Sequence, residues 1–299
     1  ILPDWRRNEA INFVKGGLED FSISREKERL SWGIPVPDDD SQVMYVWFDA
    51  LTNYISTLGW PEDIDGKFKK FWEDGEVVQM AGKDQVRFQS LMWQAMLMSA
   101  DIKNTDQVVY HGFINSGGQK MSKSLGNVIN PLDLVNEYGT DAVRYFLLRH
   151  VQPFDDSDVT LEKFKEAYNA NLANGLGNLT SRVMKMAISY DVDFSDLPNP
   201  IGDISKIISR HLDSFEFSKA LDEIWLFLSS LDEFIQKEEP FKKIKTNKEG
   251  AHHDVREVLG GLLGIATNLE SFLPETSKKI KELITEKKLP ESPLFLRKD

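Results

Sequence analysis

Lys120-Met121-Ser122-Lys123-Ser124 sets two lysines three residues apart among small hydroxyl side chains, with Gly117-Gly118 just before and Gly126 just after. Lysine is a compact point charge suited to phosphate, and backbone N–H groups in glycine turns add donors. A loop of this kind can close over a polyphosphate and stabilise the charge that builds as it breaks. Two lysines at this spacing would also suit an ordinary exposed Lys/Ser loop; the full five-residue string is far more specific. Asn178 and Arg182 lie four apart, on one face if the segment is helical, and a guanidinium can grip a base edge with two hydrogen bonds. The alternative reading of the same pair is exposed capping residues. Five lysines fall between 237 and 248 with Glu238, Glu239 and Glu249 among them, so that stretch is either a local phosphate contact or a solvated helix end.

Two kinds of element must hold these groups. Over the first 160 residues, apolar runs alternate with helical spacing. Residues 43–48 read as a buried strand, with Asp49 capping a helix that carries Ala50, Leu51, Tyr54, Ile55 and Leu58. Residues 77–81 and 108–110 read as two further strands, with a helix over 85–100 between them. That rhythm predicts a parallel sheet with helical crossovers. Ligands in such sheets sit beyond the carboxyl ends of the strands, where Trp47-Phe48-Asp49, Gly82-Lys83-Asp84 and His111-Gly112 fall. From about residue 160, apolar residues recur every three or four positions, interrupted by Pro198, Pro200, Pro240 and Pro274. This predicts an antiparallel bundle of four or five helices, with the last ten residues as a surface tail.

The composition narrows the choice. The chain has 299 residues, enough for about two domains, and a net charge of −12 with no cysteine. Phosphate neutralisation underlies non-specific nucleic-acid binding, so a chain this acidic can touch RNA only locally. Without thiols there is no disulfide framework, and the composition suits a reducing cytosol. No apolar run is long enough to span a bilayer. Residue 1 is Ile, which reads as the middle of something longer.

The string at 120–124 is the KMSKS signature, and around it the chain resembles the methionyl-tRNA synthetases, a class I family. Tyr45-Val46-Trp47-Phe48-Asp49-Ala50 with Tyr54 resembles their methionine-pocket segment. Ile23-Ser24-Arg25, Gly82-Lys83-Asp84 and Gly177-Asn178-Leu179-Thr180-Ser181-Arg182 resemble further words of the family in the same order. The resemblance implies an α/β part followed by an all-α part. Residues 1–115 would be the second half of a Rossmann-like catalytic domain, 116–160 the KMSKS loop and stem-contact region, and 161–299 a helical anticodon-binding domain. It implies ATP with Mg2+, methionine and tRNA(Met) as substrates, in the cytoplasm and away from membranes. Lys123, assisted by Lys120 and Arg25, would stabilise departing pyrophosphate. Gly82, Asp84, His111, Gly112, Met121 and Ser122 would complete the ATP site, with Asp84 on the ribose. Trp47, Ala50, Tyr54, Gln85 and Gln89 would line the methionine pocket, a good match of aromatic walls to a thioether. Asn178, Arg182 and Phe241 would read the anticodon CAU, Phe241 standing where the family usually has a stacking Trp.

Departures from the family pattern are equally legible. The HIGH-type histidine pair, the first half of the nucleotide fold and the zinc insertion do not occur in these residues, so no metal site is expected and an amino-terminal half becomes an expected partner. Gln85 and Gln89 stand where an aliphatic residue and a histidine are usual. For Arg25 the alternative is an ion pair with Glu26 or Glu28, for Asp84 a helix cap, and for Phe48 core packing. The other functional readings are a valyl, leucyl or isoleucyl synthetase of the same subclass, or a tRNA-binding module without catalysis.

Overall fold

The computed structural model describes residues 1–199 and 202–299, and in it the chain forms two units, Ile1–Phe113 and Ile114–Asp299. The first opens with helix α1 (Asp4–Lys15) and three short strands, β1 (Ser24–Glu26), β2 (Pro35–Val36) and β3 (Asp39–Met44), which lead into helix α2 (Val46–Ser56). The strands pair antiparallel in the order β1-β3-β2. Next come β4 (Val78–Gly82), a tight turn Lys83–Gln85, a π-helical turn Phe88–Met92 that continues as α3 (Trp93–Ser99), and β5 (Gln107–His111). β4 and β5 run parallel, with Gly82 opposite His111, and Leu2 bridges Val109 of β5. The parallel pair with a helical crossover is as the spacing predicts.

Residues 43–48 depart from expectation. The strand ends at Met44, and the helix starts at Val46 with Tyr45, not Asp49, at its cap. Tyr45 N–H still bonds Ile23 O. Beyond it, Trp47, Leu51 and Ile55 recur at helical spacing, and burial of Leu51 and Ile55 against Trp72, Trp93 and Leu97 fixes the helix. A short apolar run cannot reveal by itself which period it follows. Trp47-Phe48-Asp49 therefore sits in the first turn of a helix after an antiparallel strand, not at the end of a parallel one. The helix expected over 85–100 forms as one helical run from Lys83 to Ser99, with a tight first turn and a π-helical turn before α3. A second small core gathers Ala10, Val86, Val108 and Tyr110. The Tyr110 hydroxyl lies 2.5 Å from Ser90 Oγ, and burial pushes it up to about 12.

The second unit begins with a hairpin, β6 (Ile114–Ser116) and β7 (Gln119–Lys120). Helices α4 (Pro131–Tyr138) and α5 (Thr140–His150) follow, and β8 (Ser157–Asp158) returns to pair parallel with β6. Then α6 (Leu161–Ala167) runs through a π-helical stretch, Tyr168–Gly177, into α7 (Asn178–Ser189). After α8 (Gly202–Asp213) come α9 (Phe217–Glu238), the short α10 (Pro240–Lys243), α11 (Lys248–Leu269) and α12 (Pro274–Glu286). Start signals are where the sequence puts them: Asn130, Thr160 and Asn247 accept N-terminal amides of α4, α6 and α11, and Pro131 and Pro274 open their helices. One continuous core joins Leu172, Leu176, Val183, Leu221, Ile224, Val255, Leu262 and Phe272. α11 approaches its neighbours closely at two adjacent glycines: a Cβ on Gly260 would meet Pro198 O at 2.1 Å, and one on Gly261 would meet Leu231 Cδ2 at 2.7 Å. Pro198 is thus a packing residue, while Pro200 lies outside the described residues. The last ten residues are not merely a surface tail. Phe295 is buried, and Tyr168 Oη donates to Leu296 O at 2.9 Å.

Candidate functional site

Gly82 and His111 end neighbouring parallel strands in register, the position at which α/β sheets hold ligands. Gly82 has an ordinary extended backbone, so its value is space. A Cβ there would stand 2.7 Å from Asp84 Oδ1, because the Asp84 carboxylate folds back over it. Asp84 is exposed and does not cap the following turn through its side chain. Gln85 Nε2 donates to Asp84 Oδ2 at 3.5 Å. Lys83 Nζ lies 4.6 Å over the Phe113 ring, and His111 Nδ1 is 2.9 Å from Gly112 O. If that ring nitrogen carries the proton, Nε2 is left as an acceptor.

Trp47, Ala50 and Tyr54 are spaced three and four apart along α2 and share one face. Trp47 stacks on Phe88 with centroids 4.6 Å apart, and Ala50 is exposed between it and Tyr54. Tyr54 Oη accepts from Gln89 Nε2 at 2.8 Å, and the Tyr54 ring leans on Trp93 at 5.9 Å. Gln89 is 3% exposed, and its Oε1 has no partner among the described residues. Gln85 lies half-buried one turn earlier. Phe48 faces a different apolar cleft of about 630 Å³ together with Ile55, Trp60, Trp93 and Met96. Arg25, on β1, donates from Nη1 to the carbonyls of Ser22 and Ser24 at 2.8 and 2.7 Å, and its guanidinium lies 4.0 Å over the Tyr45 ring. Among the described residues the alternative ion pair with Glu26 or Glu28 does not form, and Glu26 pairs instead with Arg29 at 2.9 Å.

In the second unit, the KMSKS string leaves the β6–β7 hairpin. Gly117 and Gly118 have φ of 62° and 73°, the left-handed pair that two-residue hairpin turns demand. Gly118 N–H donates to Asp158 Oδ1 at 2.6 Å, and Lys163 pairs with the same carboxylate at 2.9 Å. The backbone bond from Gly118, with Lys163 second, holds the Asp158 carboxyl below its usual range. Ser122 caps the turn Lys123–Leu125 by accepting Leu125 N–H, and Asn127 Oδ1 accepts Ser122 N–H at 2.9 Å. Met121 and Ser122 are half-buried, while Lys120 and Lys123 are exposed. Asp158 and Asn127 escaped the sequence reading. Asn127 lies three residues beyond the string, but Asp158 reaches Gly118 from 40 residues away.

Asn178 opens α7 and Arg182 follows one turn on, but Arg182 is not free: its Nη1 pairs with Asp232 Oδ1 of α9 at 2.5 Å. Phe241 is 40% exposed on α10, beside buried Pro240. The lysine stretch is less basic than its composition. Lys243 is shared by Asp254 and Glu238, at 2.5 and 2.9 Å, which raises its pKa, and Lys242 pairs with Glu239. Lys237, Lys245 and Lys248 remain as candidates for phosphate. Among the described residues, no three His, Cys, Asp or Glu side chains group to hold a metal, and no helix is long and apolar enough to cross a membrane.

This combination of a parallel strand pair with a helical crossover, a KMSKS hairpin and a helix bundle is the class I synthetase arrangement. Residues 3–184 match the family described as tRNA synthetases class I (M), and the chain belongs to that family, the methionyl-tRNA synthetases. It is 42% identical over 293 residues to the methionine–tRNA ligase of Fusobacterium nucleatum, covering 94% of this chain and 46% of that protein. With the methionine–tRNA ligase of Caldanaerobacter subterraneus it is 40% identical over 296 residues, with the same coverage. The fold matches Mycobacterium tuberculosis methionyl-tRNA synthetase bound by methionyl-adenylate with a TM-score of 0.85 at 33% identity, over 94% of this chain and 57% of that one. The chain thus spans about half the length of the relatives it matches.

Proposed function

We propose that this chain supplies the KMSKS-bearing and helical portion of a cytoplasmic methionyl-tRNA synthetase. Such an enzyme joins methionine to ATP as methionyl-adenylate, releasing pyrophosphate, and then passes the methionyl group to tRNA(Met). The observation that carries the proposal is the KMSKS loop itself: a hairpin pinned by Asp158 and Asn127 that leaves Lys120 and Lys123 exposed. Transfer at a phosphoanhydride needs positioning and charge stabilisation more than covalent help from the protein. Lys123, with Lys120 and Arg25, would take the charge that builds on pyrophosphate, while Mg2+ enters with ATP as part of the substrate. Gly82 would let the nucleotide approach, Asp84 would accept from ribose hydroxyls, and His111 and Gly112 would border the same strand ends. Trp47, Ala50 and Tyr54 would face the methionine side chain, with Gln85 and Gln89 at its edge. Asn178, Arg182 and Phe241 would read the anticodon. Residues 116–160 would form the stem-contact region, and adenylate formation would need an amino-terminal half in addition to these 299 residues.

The test is charging of tRNA by the complete enzyme carrying this chain. Wild type should charge tRNA with the anticodon CAU and discriminate against a changed anticodon base. Arg182→Ala should lose about 1–3 kcal/mol of that discrimination while its methionine-dependent ATP–pyrophosphate exchange stays within a few fold. Equal preference for CAU in both proteins would remove Arg182 from the reading site.

A further inference from the structure

A cleft of about 300 Å³ lies between the Tyr168–Gly177 stretch, α7 and α9, lined by Asn174, Asn178, Arg182, Ser229, Asp232 and Glu233. Leu179 and Leu228 add apolar lining. Arg182 and Asp232 meet there through a single contact, Nη1 to Oδ1. Among the described residues, Arg182 Nη2 and Nε and Asp232 Oδ2 make no other bond within the protein, and the two side chains remain 33% and 45% exposed. The pair therefore presents N–H donors of α7 beside a carboxylate acceptor of α9 in the lining of a cleft large enough for a base. That is the complement of a base edge bearing an acceptor next to an amino group.

We propose that Asp232 is a specificity residue that distinguishes cytosine from uracil in this cleft, an inference that rests on the anticodon reading above. Cytosine offers O2 and N3 as acceptors and N4–H2 as a donor. Arg182 satisfies the acceptors while Asp232 Oδ2 accepts from the amino group. Uracil in the same pose sets N3–H against the guanidinium and O4 against the carboxylate, so donor meets donor and acceptor meets acceptor. The negative charge of Asp232 makes the second clash the stronger one, so the residue works by rejection as well as by attraction. Asp232 also holds Arg182 in place before RNA arrives, which lowers the ordering cost of binding.

The test uses the 299-residue chain and two RNA hairpins that differ only in carrying CAU or UAU in the loop. Wild type should bind the CAU hairpin about tenfold more tightly. Asp232→Asn presents both a carbonyl and an amide and should bind the two hairpins within about threefold of each other, with unchanged helical circular dichroism. Glu249→Gln, which removes a charge elsewhere on the bundle, should keep the wild-type ratio. A ratio unchanged in Asp232→Asn, or lost equally in Glu249→Gln, would overturn the assignment while leaving the anticodon reading intact. Failure of wild type to bind either hairpin would overturn both.

Discussion

Lys123 is the residue on which the proposed chemistry leans most. It is exposed on a turn whose shape is set by Ser122 and Asn127, so its truncation removes charge without removing packing. Lys123→Ala in the complete enzyme should lower the adenylation rate by about 3 kcal/mol while methionine affinity changes little, because a charge acting on the transition state affects rate before binding. Pre-steady-state adenylate formation with titrated methionine checks both. A second expectation concerns Gln89, which donates to Tyr54 while its own carbonyl lies buried without a partner. Tyr54→Phe should cost about 1–3 kcal/mol of stability by leaving the buried amide wholly unpaired, and Gln89→Met in that background should recover part of the loss. Denaturant melts of the two variants against wild type measure this. The KMSKS lysines were legible because their chemistry is contiguous in sequence. The pairs Tyr54–Gln89 and Arg182–Asp232 were not legible as pairs, since 35 and 50 residues separate the partners and only packing brings them together.

At the scale of elements, the hairpin and helix α11 carry the sharpest expectations. Asp158 binds the hairpin turn through Gly118, and its folded-state pKa is depressed below the ordinary 3.8. Its contribution is therefore complete above the ordinary carboxylate range and is lost as pH falls through the lower folded value. The Gly118 amide resonance should titrate below the usual Asp range, and Asp158→Asn should abolish that titration. In α11, Gly260→Ala would force a methyl onto Pro198 O. A clash with backbone is relieved only by moving α11 or the segment that carries Pro198, so the variant should lose about 1–3 kcal/mol, read by thermal unfolding. The long helices of the second unit were visible from the three-to-four-residue recurrence, whereas the caps at Asn130, Thr160 and Asn247 were not read and the prolines were read only as interruptions. The strand expected over 43–48 was misjudged because Val, Tyr, Trp and Phe suit either state, and the burial of Leu51 and Ile55 on a distant Trp pair decides for helix.

At the scale of the whole molecule, the chain is two units of a class I synthetase fold that together span about half the length of its relatives. β4 has β5 as its one strand neighbour among the described residues, and Val78 and Met80 on it are 39% and 53% exposed. A parallel strand pair ordinarily lies within a larger, covered sheet, which fits the proposal that catalysis draws on further residues. The measurement that bears most directly on the account is amino-acid-dependent ATP–pyrophosphate exchange by the complete enzyme carrying this chain, with methionine, valine, leucine and isoleucine supplied in turn. The account predicts exchange with methionine alone, lost in Lys123→Ala. Exchange driven by one of the branched amino acids, or methionine-dependent exchange that survives Lys123→Ala undiminished, would contradict it.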